Sequence, residues 1–353
     1  MKKIQIAPAW RFSDEAGNQL DPKLFELLKA VHRHGKLTLA ARDVGISYRH
    51  AWNMLKRWHE FFGTPLVELQ RGRGARLLPL GEKLLWAEQR MSARLGPQLE
   101  SLASELNLAI QQSLEGIKPV LRLHASHGYA VELLPSYLEE LRLDLQYCPP
   151  REALAALNRG ACDLAGFHLP RGAVGAAVSR NYRGLLKPRS HRVVRFITRR
   201  QGLMVASDNP LAIRGLDDLA RREVRFINRQ GASGTRALLD GLLASADLPA
   251  GKISGYELEE YTHSAVAAYV AAGMADAGFG VEAAARRFGL AFVPLALEDY
   301  LLICHRRSLA EPRVEQLRAI LASQAFQAAV TALPGYFPDR CGQVDGLEAL
   351  LPR

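Results

Sequence analysis

The sequence predicts three parts in order: a small α+β domain, a long connecting helix and a larger α/β domain with two lobes. Three patterns lead to this fold class. Small residues and glycines punctuate two short helical segments within residues 37–58. Apolar residues then recur every three or four positions from residue 79 to about 114. From residue 117 onward, strand-like and helical runs alternate, as they do in α/β domains.

Charge follows the same division of the chain. The predicted domains are residues 1–78, 79–116 and 117–353, with a second lobe in the last domain at roughly 205–290. The first holds 14 Lys and Arg against 7 Asp and Glu, whereas residues 79–353 hold 32 against 29. This local basic excess favours a polyanionic partner for the first domain, although a solvated basic surface is the alternative.

Several classes of protein are disfavoured. The four cysteines form no Cys-x-x-Cys pair, so we expect neither a zinc site nor a disulfide framework. The N-terminal residues lack the apolar stretch of a signal peptide, and no run of about 18 apolar residues exists. No nucleophile–base pair or phosphate-binding lysine emerges, which argues against an enzyme. We therefore expect a cytoplasmic protein without a cofactor, a metal or a membrane partner.

The first domain is predicted to begin with a strand and three helices. Residues 4–12 alternate as a strand does. Asp21 is expected to be the N-cap of the first helix, with Pro22 at its first position. A short helix over residues 37–44 follows, and a third helix starts after Ser47 and ends near residue 62.

The third helix has one apolar face and one polar, basic face. On a helical wheel Ala51 and Leu55 face the core, while Arg49, Asn53 and Lys56 lie on the opposite side. Arg can bind guanine in two hydrogen bonds, Asn can bind adenine, and Lys neutralises phosphate. The pattern predicts a helix-turn-helix whose third helix reads the major groove of DNA.

A β-hairpin is predicted after the third helix. Residues 66–70 and 76–78 read as its strands, and the tip at 71–74 contains two arginines and two glycines. Such a tip suits contact with the DNA backbone or minor groove, although each arginine alone could be a solvated charge. The candidate DNA-binding residues from these patterns are Arg49, His50, Asn53, Lys56, Arg57, Arg71, Arg73 and Arg76.

Residues 4–90 resemble the N-terminal winged helix-turn-helix domain of the molybdate-responsive ModE regulators, which are related to LysR-type regulators. The resemblance rests on AARDVGISYRHAWNML and GTPLVELQRGRGARLLPLGEKLL. It implies a homodimer, or a higher homo-oligomer, that binds a two-fold-related operator of double-stranded DNA. By the match, the residues at or near DNA would be Ser47, Tyr48, Arg49, His50, Asn53 and Lys56. Tyr48 and Trp52 lie in the matching segment, and for this aromatic pair we favour packing over DNA contact.

The linker is predicted as one long helix with a continuous apolar seam. The seam consists of Leu80, Leu84, Ala87, Met91, Leu95, Leu99, Leu102 and Leu106. Gly96-Pro97 is expected to kink or break this helix. Dimerisation through the seam is favoured, and packing of the seam onto its own domain is the alternative.

The last domain is expected to contain largely parallel sheets. The strand-like runs are Val120–Ala125, Leu145–Cys148, Leu164–Phe167, Val193–Ile197, Gly202–Ala206, Val224–Ile227, Ala275–Phe279, Ala291–Leu295 and Leu301–Cys304. Ligands of open α/β sheets lie at the carboxyl ends of strands and the amino ends of helices. The loops in those places are therefore the candidate binding site.

Three such loops carry hydroxyls, imidazoles or glycines. Backbone N–H groups and helix N-termini favour anions, and Arg229 and Arg236 could complete a charged clamp. An ordinary capped loop is the alternative for each, and the histidines lack metal-ligand spacing. The candidate effector-binding residues are Ser126, His127, His168, Arg229, Gly231, Ser233, Gly234, Thr235, Arg236, Thr262, His263 and Ser264.

Residues 120–306 resemble the periplasmic-binding-protein-like domains found beside such DNA-binding domains and in some molybdopterin-biosynthesis proteins. The matching segments are HASHGYAVELLP, CDLAGFHLP, RFINRQGASGTRALLDGLL and EYTHSAVAAYVAAGMADAGFGVEAAAR. This resemblance implies type II architecture, with two lobes around a cleft. The expected fold is thus an α+β winged helix-turn-helix joined by a long linker helix to an α/β two-lobed type II periplasmic-binding-protein-like domain.

Together these features predict a transcription regulator controlled by a small anionic effector. Molybdate, tungstate, formate or a molybdenum-cofactor species are the candidate effectors. One alternative is a molybdenum-cofactor assembly or carrier protein with an accessory DNA-binding domain. Another is a DNA-binding protein whose second domain serves only for oligomerisation.

Overall fold

The computed structural model describes residues 4–13, 21–70, 74–115, 120–138 and 141–349. The chain divides into two compact units, one formed by Ala7–Leu95 and the other by Met1–Ile6 together with Gly96–Arg353. The boundary between them falls inside the predicted linker. None of the described helices is both long and apolar enough to cross a membrane.

The smaller unit consists of three helices, a two-stranded hairpin and the first half of a long helix. These elements are α1 (Leu24–His34), α2 (Leu37–Asp43), α3 (Tyr48–Phe62), β1 (Val67–Gln70), β2 (Gly74–Leu77) and α4 (Pro79–Glu115). The strands of the hairpin pair antiparallel, from Val67 opposite Leu77 to Gln70 opposite Gly74. The predicted order of helix, turn, helix and wing is confirmed.

An aromatic cluster forms much of the core of the smaller unit. The Trp58 side chain on α3 is buried, and its ring centroid lies 4.8 Å from that of Phe12 and 5.6 Å from that of Phe62. Phe25 on α1 contacts the Phe12 ring at 5.9 Å. Large aromatic side chains contribute strongly to small cores, so this cluster holds α1 and α3 together.

Two predictions near the N-terminus are wrong. Residues 4–12 contain no strand, because their start bonds to a side chain: Ile4 N–H donates to Asn107 Oδ1 at 2.7 Å, and Asn107 Nδ2 donates to the Ile4 carbonyl at 2.8 Å. Helix α1 begins at Leu24 with Lys23 as its N-cap. Asp21 Oδ1 instead accepts a hydrogen bond from the Lys23 N–H at 2.9 Å, one turn before the helix.

The larger unit is built on one sheet of ten strands. They are β3 (Val120–Ala125), β4 (Arg142–Tyr147), β5 (Leu164–Pro170), β6 (His191–Val205), β7 (Phe226–Arg229), β8 (Glu259–Glu260), β9 (Ala277–Val281), β10 (Ala291–His305), β11 (Tyr336–Phe337) and β12 (Val344–Gly346). The order across the sheet is β4-β3-β5-β10-β6-β9-β7-β8, and the short β11 and β12 both pair with β6.

Eight helices accompany this sheet in the described part of the larger unit. They are α5 (Tyr129–Tyr137), α6 (Pro150–Asn158), α7 (Ala173–Ser179), α8 (Gly234–Ser245), α9 (His263–Ala271), α10 (Glu282–Arg287), α11 (Pro312–Ala322) and α12 (Gln324–Thr331). Strands and helices therefore alternate over most of this unit, as the sequence predicts for an α/β domain.

The sheet is mixed, so the prediction of largely parallel sheets is wrong. Strand β3 runs parallel to β4 and β5, and β7 runs parallel to β8 and β9. Strand β10 runs antiparallel to β5 and β6, and β6 runs antiparallel to β9. Each parallel group forms one lobe, and the antiparallel strands join the two.

Strands β6 and β10 are each 15 residues long, and each combines two predicted strands into one. They pair over their whole length, from Val205 opposite Ala291 to His191 opposite His305. The charged residues between the predicted strands hid this continuity, because a buried strand normally reads as an apolar run. Both strands pass through the two lobes and connect them directly.

Helix α4 is continuous through Pro97, so the predicted break is wrong. A proline inside a helix removes one backbone hydrogen bond and crowds the preceding turn. The helix continues beyond it, and the Pro97 carbonyl accepts a hydrogen bond from the Ser101 hydroxyl at 3.0 Å. The two domain units therefore share one unbroken helix.

The second half of α4 covers the edge strand β4. The Ser104 hydroxyl accepts a hydrogen bond from the Leu145 N–H at 3.0 Å, and the Ser101 hydroxyl accepts one from the Tyr147 N–H at 2.9 Å. Edge strands expose backbone groups that can pair with other chains. These two serines satisfy the outward donors of β4 and protect that edge.

Candidate functional site

Helix α3 begins at a side-chain cap in the smaller unit. The Ser47 hydroxyl accepts a hydrogen bond from the His50 N–H at 3.1 Å, and Ser47 itself has extended backbone geometry. A serine N-cap satisfies one of the free donors of the first turn. The helix therefore starts at Tyr48, as the sequence predicts.

The two faces of α3 are clearly separated. Ala51, Met54, Leu55 and Trp58 are buried. The candidate DNA-binding side chains on this helix are all exposed: Tyr48, Arg49, His50, Asn53, Lys56 and Arg57. A row of exposed basic and amide groups is what recognition of base edges and phosphates requires.

The aromatic pair on α3 is exposed, which contradicts the expectation that it packs. Tyr48 is 49% exposed and Trp52 is 47% exposed. Successive residues of a helix point about 100° apart, so Trp52 lies well away from the buried Ala51. Both rings are therefore part of the outer surface of α3.

The base of the wing packs tightly against the end of α1. The Ala75 N–H donates to the Gly35 carbonyl at 2.7 Å. A Cβ atom at Gly74 would lie 2.3 Å from that carbonyl oxygen, and Gly74 has a φ of +103°, so glycine is required there. Arg76 is exposed and forms an ion pair with Glu68, whereas Arg71 and Arg73 lie outside the described residues.

In the larger unit, the three predicted loops all lead into helix N-termini. Gly128 is the N-cap of α5. The Ser233 hydroxyl accepts a hydrogen bond from the Arg236 N–H at 3.1 Å at the start of α8, and the Thr262 hydroxyl accepts one from the Ala265 N–H at 3.0 Å at the start of α9. Each helix thus turns its positive end toward its loop.

Contacts between the loops and strands bring several of these residues together. The Tyr129 and Ser264 hydroxyls are hydrogen-bonded at 2.7 Å, which links the starts of α5 and α9. A Cβ atom at Gly234 would lie 2.6 Å from His168 Cδ2, so the start of α8 closely approaches β5. Of the predicted set, only Gly231 is exposed.

A buried ion pair lies at the centre of this arrangement, on the two long strands β6 and β10 that connect the lobes. Arg199 on β6 contacts Glu298 on β10 through Nε at 2.8 Å and Nη2 at 2.6 Å. The Gln201 amide donates to the same carboxylate at 2.8 Å, and His168 Nδ1 lies 3.4 Å from it. All four residues are buried. Sequence reasoning found His168 and missed the other three.

A second arginine, Arg229, is close enough to this ion pair to interact with both of its charges. Arg229 at the end of β7 is buried, and it uses Nε for Gln230 and Nη2 for the Tyr261 carbonyl. Burial and the charge of Arg199 lower the pKa of Arg229 to about 9, although Glu298 opposes this shift. Burial alone would raise the pKa of Glu298, but Arg199 overcomes it and lowers the value to about 2. Both arginines are therefore charged at neutral pH.

Several buried polar atoms of this cluster have no hydrogen-bond partner among the described residues. They include Arg199 Nη1, Arg229 Nη1 and His263 Nδ1, together with the acceptor Glu298 Oε1. Arg199 Nη1 faces the start of α5, since a Cβ at Gly128 would lie 3.4 Å from it. Buried polar groups are normally paired, so the two unpaired arginine donors, on β6 and β7, point to a place for acceptor atoms.

The histidines of the cluster are kept neutral by their surroundings. Burial lowers the pKa of His263 well below its usual value, and the charges of Arg229 and Arg199 lower it further. Burial also lowers the pKa of His168, with Arg199 adding to the effect and Glu298 opposing it. At neutral pH both rings are therefore uncharged, beside the buried charges of Arg199, Arg229 and Glu298.

Other predicted residues are already engaged within the protein. The Arg236 guanidinium pairs with Asp240 and Glu259, each at 3.0 Å, so it does not form the expected clamp. His127 Nε2 pairs with Glu132 at 2.7 Å. The Thr235 hydroxyl accepts a hydrogen bond from the Gln201 amide at 3.3 Å. These contacts shape the site rather than leave donors free for a ligand.

The described residues contain no group of three or more His, Cys, Asp or Glu side chains that could hold a metal ion. A surface cavity of about 640 Å³ lies elsewhere on the crossing strands, lined by Arg171, Arg200, the segment 294–297 and Phe337. Arg171 and Arg200 are themselves paired with Asp299 and Glu282. Neither arginine of this cavity is therefore left without a carboxylate partner.

Two protein families match separate parts of the chain. The family described as bacterial regulatory helix-turn-helix protein, lysR family, matches residues 22–82. The PBP superfamily domain matches residues 131–322, which is more than half of the chain. The first match contains α1 to β2, and the second contains the buried charge cluster.

The chain is also similar to individual proteins. It is 30% identical over 248 residues to the uncharacterized protein YvgK of Bacillus subtilis, covering 69% of this chain and 79% of YvgK. It is 32% identical over 124 residues to the molybdenum-pterin-binding protein MopB of Rhodobacter capsulatus, covering 34% of this chain and 45% of MopB. A third match, at 33% over 70 residues, is to the transcriptional regulator ModE of Haemophilus influenzae and covers 19% of this chain and 28% of ModE.

Among solved structures, one that is similar is a mutant of OxyR from Corynebacterium glutamicum with hydrogen peroxide bound. The TM-score is 0.46 and the identity 20%, with 87% of this chain and 93% of that chain covered. The family that matches residues 22–82 is described as one of bacterial regulatory proteins. The chain therefore belongs to the PBP superfamily and is a DNA-binding transcriptional regulator whose helix-turn-helix is of the lysR family.

Proposed function

We propose that this regulator binds its DNA operator under the control of a small anion held between the two lobes. One observation carries the effector part of the proposal. Arg199 and Arg229 are both buried, and the Nη1 atom of each has no hydrogen-bond partner among the described residues. Unpaired charge is costly inside a protein. An anion that binds there completes the pairing and stabilises the state in which the lobes enclose it.

The DNA-binding role of individual residues is part of the same proposal. Arg49 and Asn53 on the exposed face of α3 are placed to bind base edges, and Lys56 to bind phosphate. Arg76, and with it Arg71 and Arg73, would contact the DNA backbone from the wing. Tyr48 and Trp52 add an aromatic surface to the same helix.

Pairing of two copies is supported by α4. Leu102, Leu106 and Ile110 are all exposed and recur every fourth residue along this helix. Apolar side chains at that spacing form one stripe, which a second copy of the helix can cover. The regulator would then be a homodimer or higher homo-oligomer that meets both DNA and effector in the cytoplasm.

The effector would act by changing the balance between two lobe arrangements. A ligand shifts such a balance only by as much as it prefers one state over the other. Molybdate, tungstate, formate and a molybdenum-cofactor species remain the candidates. The similarity to a molybdenum-pterin-binding protein favours the molybdenum-linked ones.

Thermal unfolding of the full chain in molybdate, tungstate, formate and sulfate tests the proposal. An anion present at about 100 times its Kd should raise Tm by roughly 5–10 °C. The Arg229→Gln variant should lose this response, because it removes one unpaired donor and its charge. Arg236→Gln is the matched control, since that arginine is paired on α8, and it should keep the response.

DNA binding must respond to the same anion. A duplex selected from a random library by the full chain should change its Kd several-fold when the active anion is added. No Tm change with any of the anions would contradict the effector proposal. A Tm change without any effect on DNA affinity would favour the carrier or assembly function instead.

A further inference from the structure

We propose that the exposed indole of Trp52 on α3 recognises thymine in the operator, by packing against the C5-methyl group that thymine presents in the major groove. This inference rests on the proposed DNA-binding role of α3 and adds an apolar specificity contact to its polar ones. Tyr48, one turn earlier on the helix, extends the same apolar surface. One feature of the operator is then read through a methyl group and not through hydrogen bonds.

The core of the smaller unit does not use the Trp52 side chain. Trp58, on the same helix, is 1% exposed and its ring centroid lies 5.6 Å from that of Phe62. Trp52 is 47% exposed and Tyr48 is 49% exposed. Burial of apolar surface is favourable in proportion to its area, so two large rings left in water one turn apart are a surface that a partner can cover.

The neighbours of Trp52 on α3 indicate which partner this is. Residues three and four apart are adjacent on a helix surface, so Trp52 lies beside Tyr48, Arg49 and Lys56, all of them exposed. Residues 44–59 contain no Asp or Glu. An apolar surface among cations complements DNA, whose phosphates carry the negative charge and whose thymine methyl groups line the major groove.

The position of Trp52 along α3 also fits the groove. Ser47 caps the helix, and Trp52 is the fifth of its 15 residues. Residues near the start of a recognition helix are those that contact base edges. The Cβ atoms of Arg49 and Trp52 are about 5–6 Å apart on an α-helix, and base pairs stack about 3.4 Å apart. The thymine should therefore lie within about two base pairs of the base that Arg49 contacts.

Single replacements of thymine by deoxyuridine test the inference. The duplex is one selected from a random library by the full chain, and each replacement removes the methyl group but keeps the O4 acceptor. At the thymine that Trp52 contacts, Kd should rise about fourfold, as the loss of one buried methyl group predicts. Selection with the Arg49→Ala variant locates the neighbouring base pair, where preference should be lost.

The Trp52→Ala variant separates methyl recognition from a purely structural role. It should bind the thymine duplex at least about fourfold more weakly and should no longer distinguish thymine from deoxyuridine. Its Tm should change little, because the side chain is exposed. His59→Ala is the matched control. His59 is exposed on the same side of α3, about 10 Å further along its axis, and its loss should leave the difference between the two duplexes intact.

The outcomes distinguish this inference from the proposed role of α3. If Arg49→Ala and Asn53→Ala both leave selectivity unchanged, α3 does not read bases, and the proposed role and the inference fail together. Where these variants do lose selectivity, equal binding of all deoxyuridine duplexes, or no thymine within reach of Arg49, overturns the inference alone. A thymine preference that persists in Trp52→Ala, with or without a uniform loss of affinity, overturns the assignment to Trp52.

Discussion

The two units of this regulator use positive charge in opposite ways. On α3 and the wing the basic side chains are exposed, and the Lys56 and Arg76 side chains are 69% and 68% exposed. In the larger unit the arginines of the cleft are buried, with Arg199 1% and Arg229 6% exposed. The same charge is therefore placed in water in one unit and away from it in the other.

This difference in exposure determines what kind of anion each set of basic side chains can bind. An exposed cation is screened by water and salt, so recognition of DNA requires many such groups and weakens at high salt. A buried cation interacts strongly with a single partner, because little water competes. The exposed set suits an extended polyanion, and the buried set suits one small anion.

The largest change in stability is expected when the buried ion pair is broken. Glu298→Gln leaves the buried Arg199 guanidinium without its carboxylate partner and should lower the free energy of unfolding by about 3–5 kcal/mol. Glu60→Gln, which removes the exposed partner of Lys56 on α3, should change it by about 0–1 kcal/mol. Denaturant unfolding of the full chain measures both. Equal losses in the two variants would refute the contrast between buried and exposed charge.

An intermediate effect is expected on the exposed face of α3. Arg49→Ala and Asn53→Ala should each reduce discrimination between the selected duplex and a mismatched one by about 1–3 kcal/mol, because each removes contacts to base edges. Competition titrations with the two duplexes measure this change. Arg33→Ala, which removes an exposed arginine from α1, is the control. Unchanged selectivity in both α3 variants would rule out the groove assignment.

The smallest effect on DNA binding is expected at the wing. Arg76→Ala should weaken binding to all duplexes about equally and reduce the slope of log Kd against log salt by about one, because it removes one phosphate contact. Titrations over a range of salt concentrations test this. A loss confined to one sequence would show that Arg76 reads bases instead.

The smaller unit could be predicted closely because its signals are local. Ser47 caps α3 three residues from its partner, and the buried and exposed faces of α3 follow the helical period. One exception also has a local cause. Tyr48 and Trp52 are aromatic and were expected to pack, but their positions on the helix place them outside the buried arc.

The larger unit was predicted in kind but not in its central strands. Arg199 and Gln201 interrupt the apolar pattern of β6, and Glu298 and Asp299 interrupt that of β10. The sequence shows these charges as gaps between short strands. Only pairing across the sheet, at long separation along the chain, reveals that they continue the strands and neutralise each other in part.

The same separation explains what was missed in the site. Loops rich in glycine and hydroxyl side chains can be recognised in a sequence, and Ser233 and Thr262 are indeed helix caps. Arg199 and Glu298 are 99 residues apart and carry no motif. A usable signal does exist, since charged residues within otherwise apolar strands are rarely tolerated unless they are paired or bind something.

The 15-residue strands β6 and β10 have a mechanical consequence. Both lobes are continuous with them, so any change in lobe orientation must be taken up as twist in these two segments, with no flexible loop to absorb it. Arg199 and Glu298 lie on those segments themselves. A ligand bound at these side chains would therefore act directly on the two strands that connect the lobes.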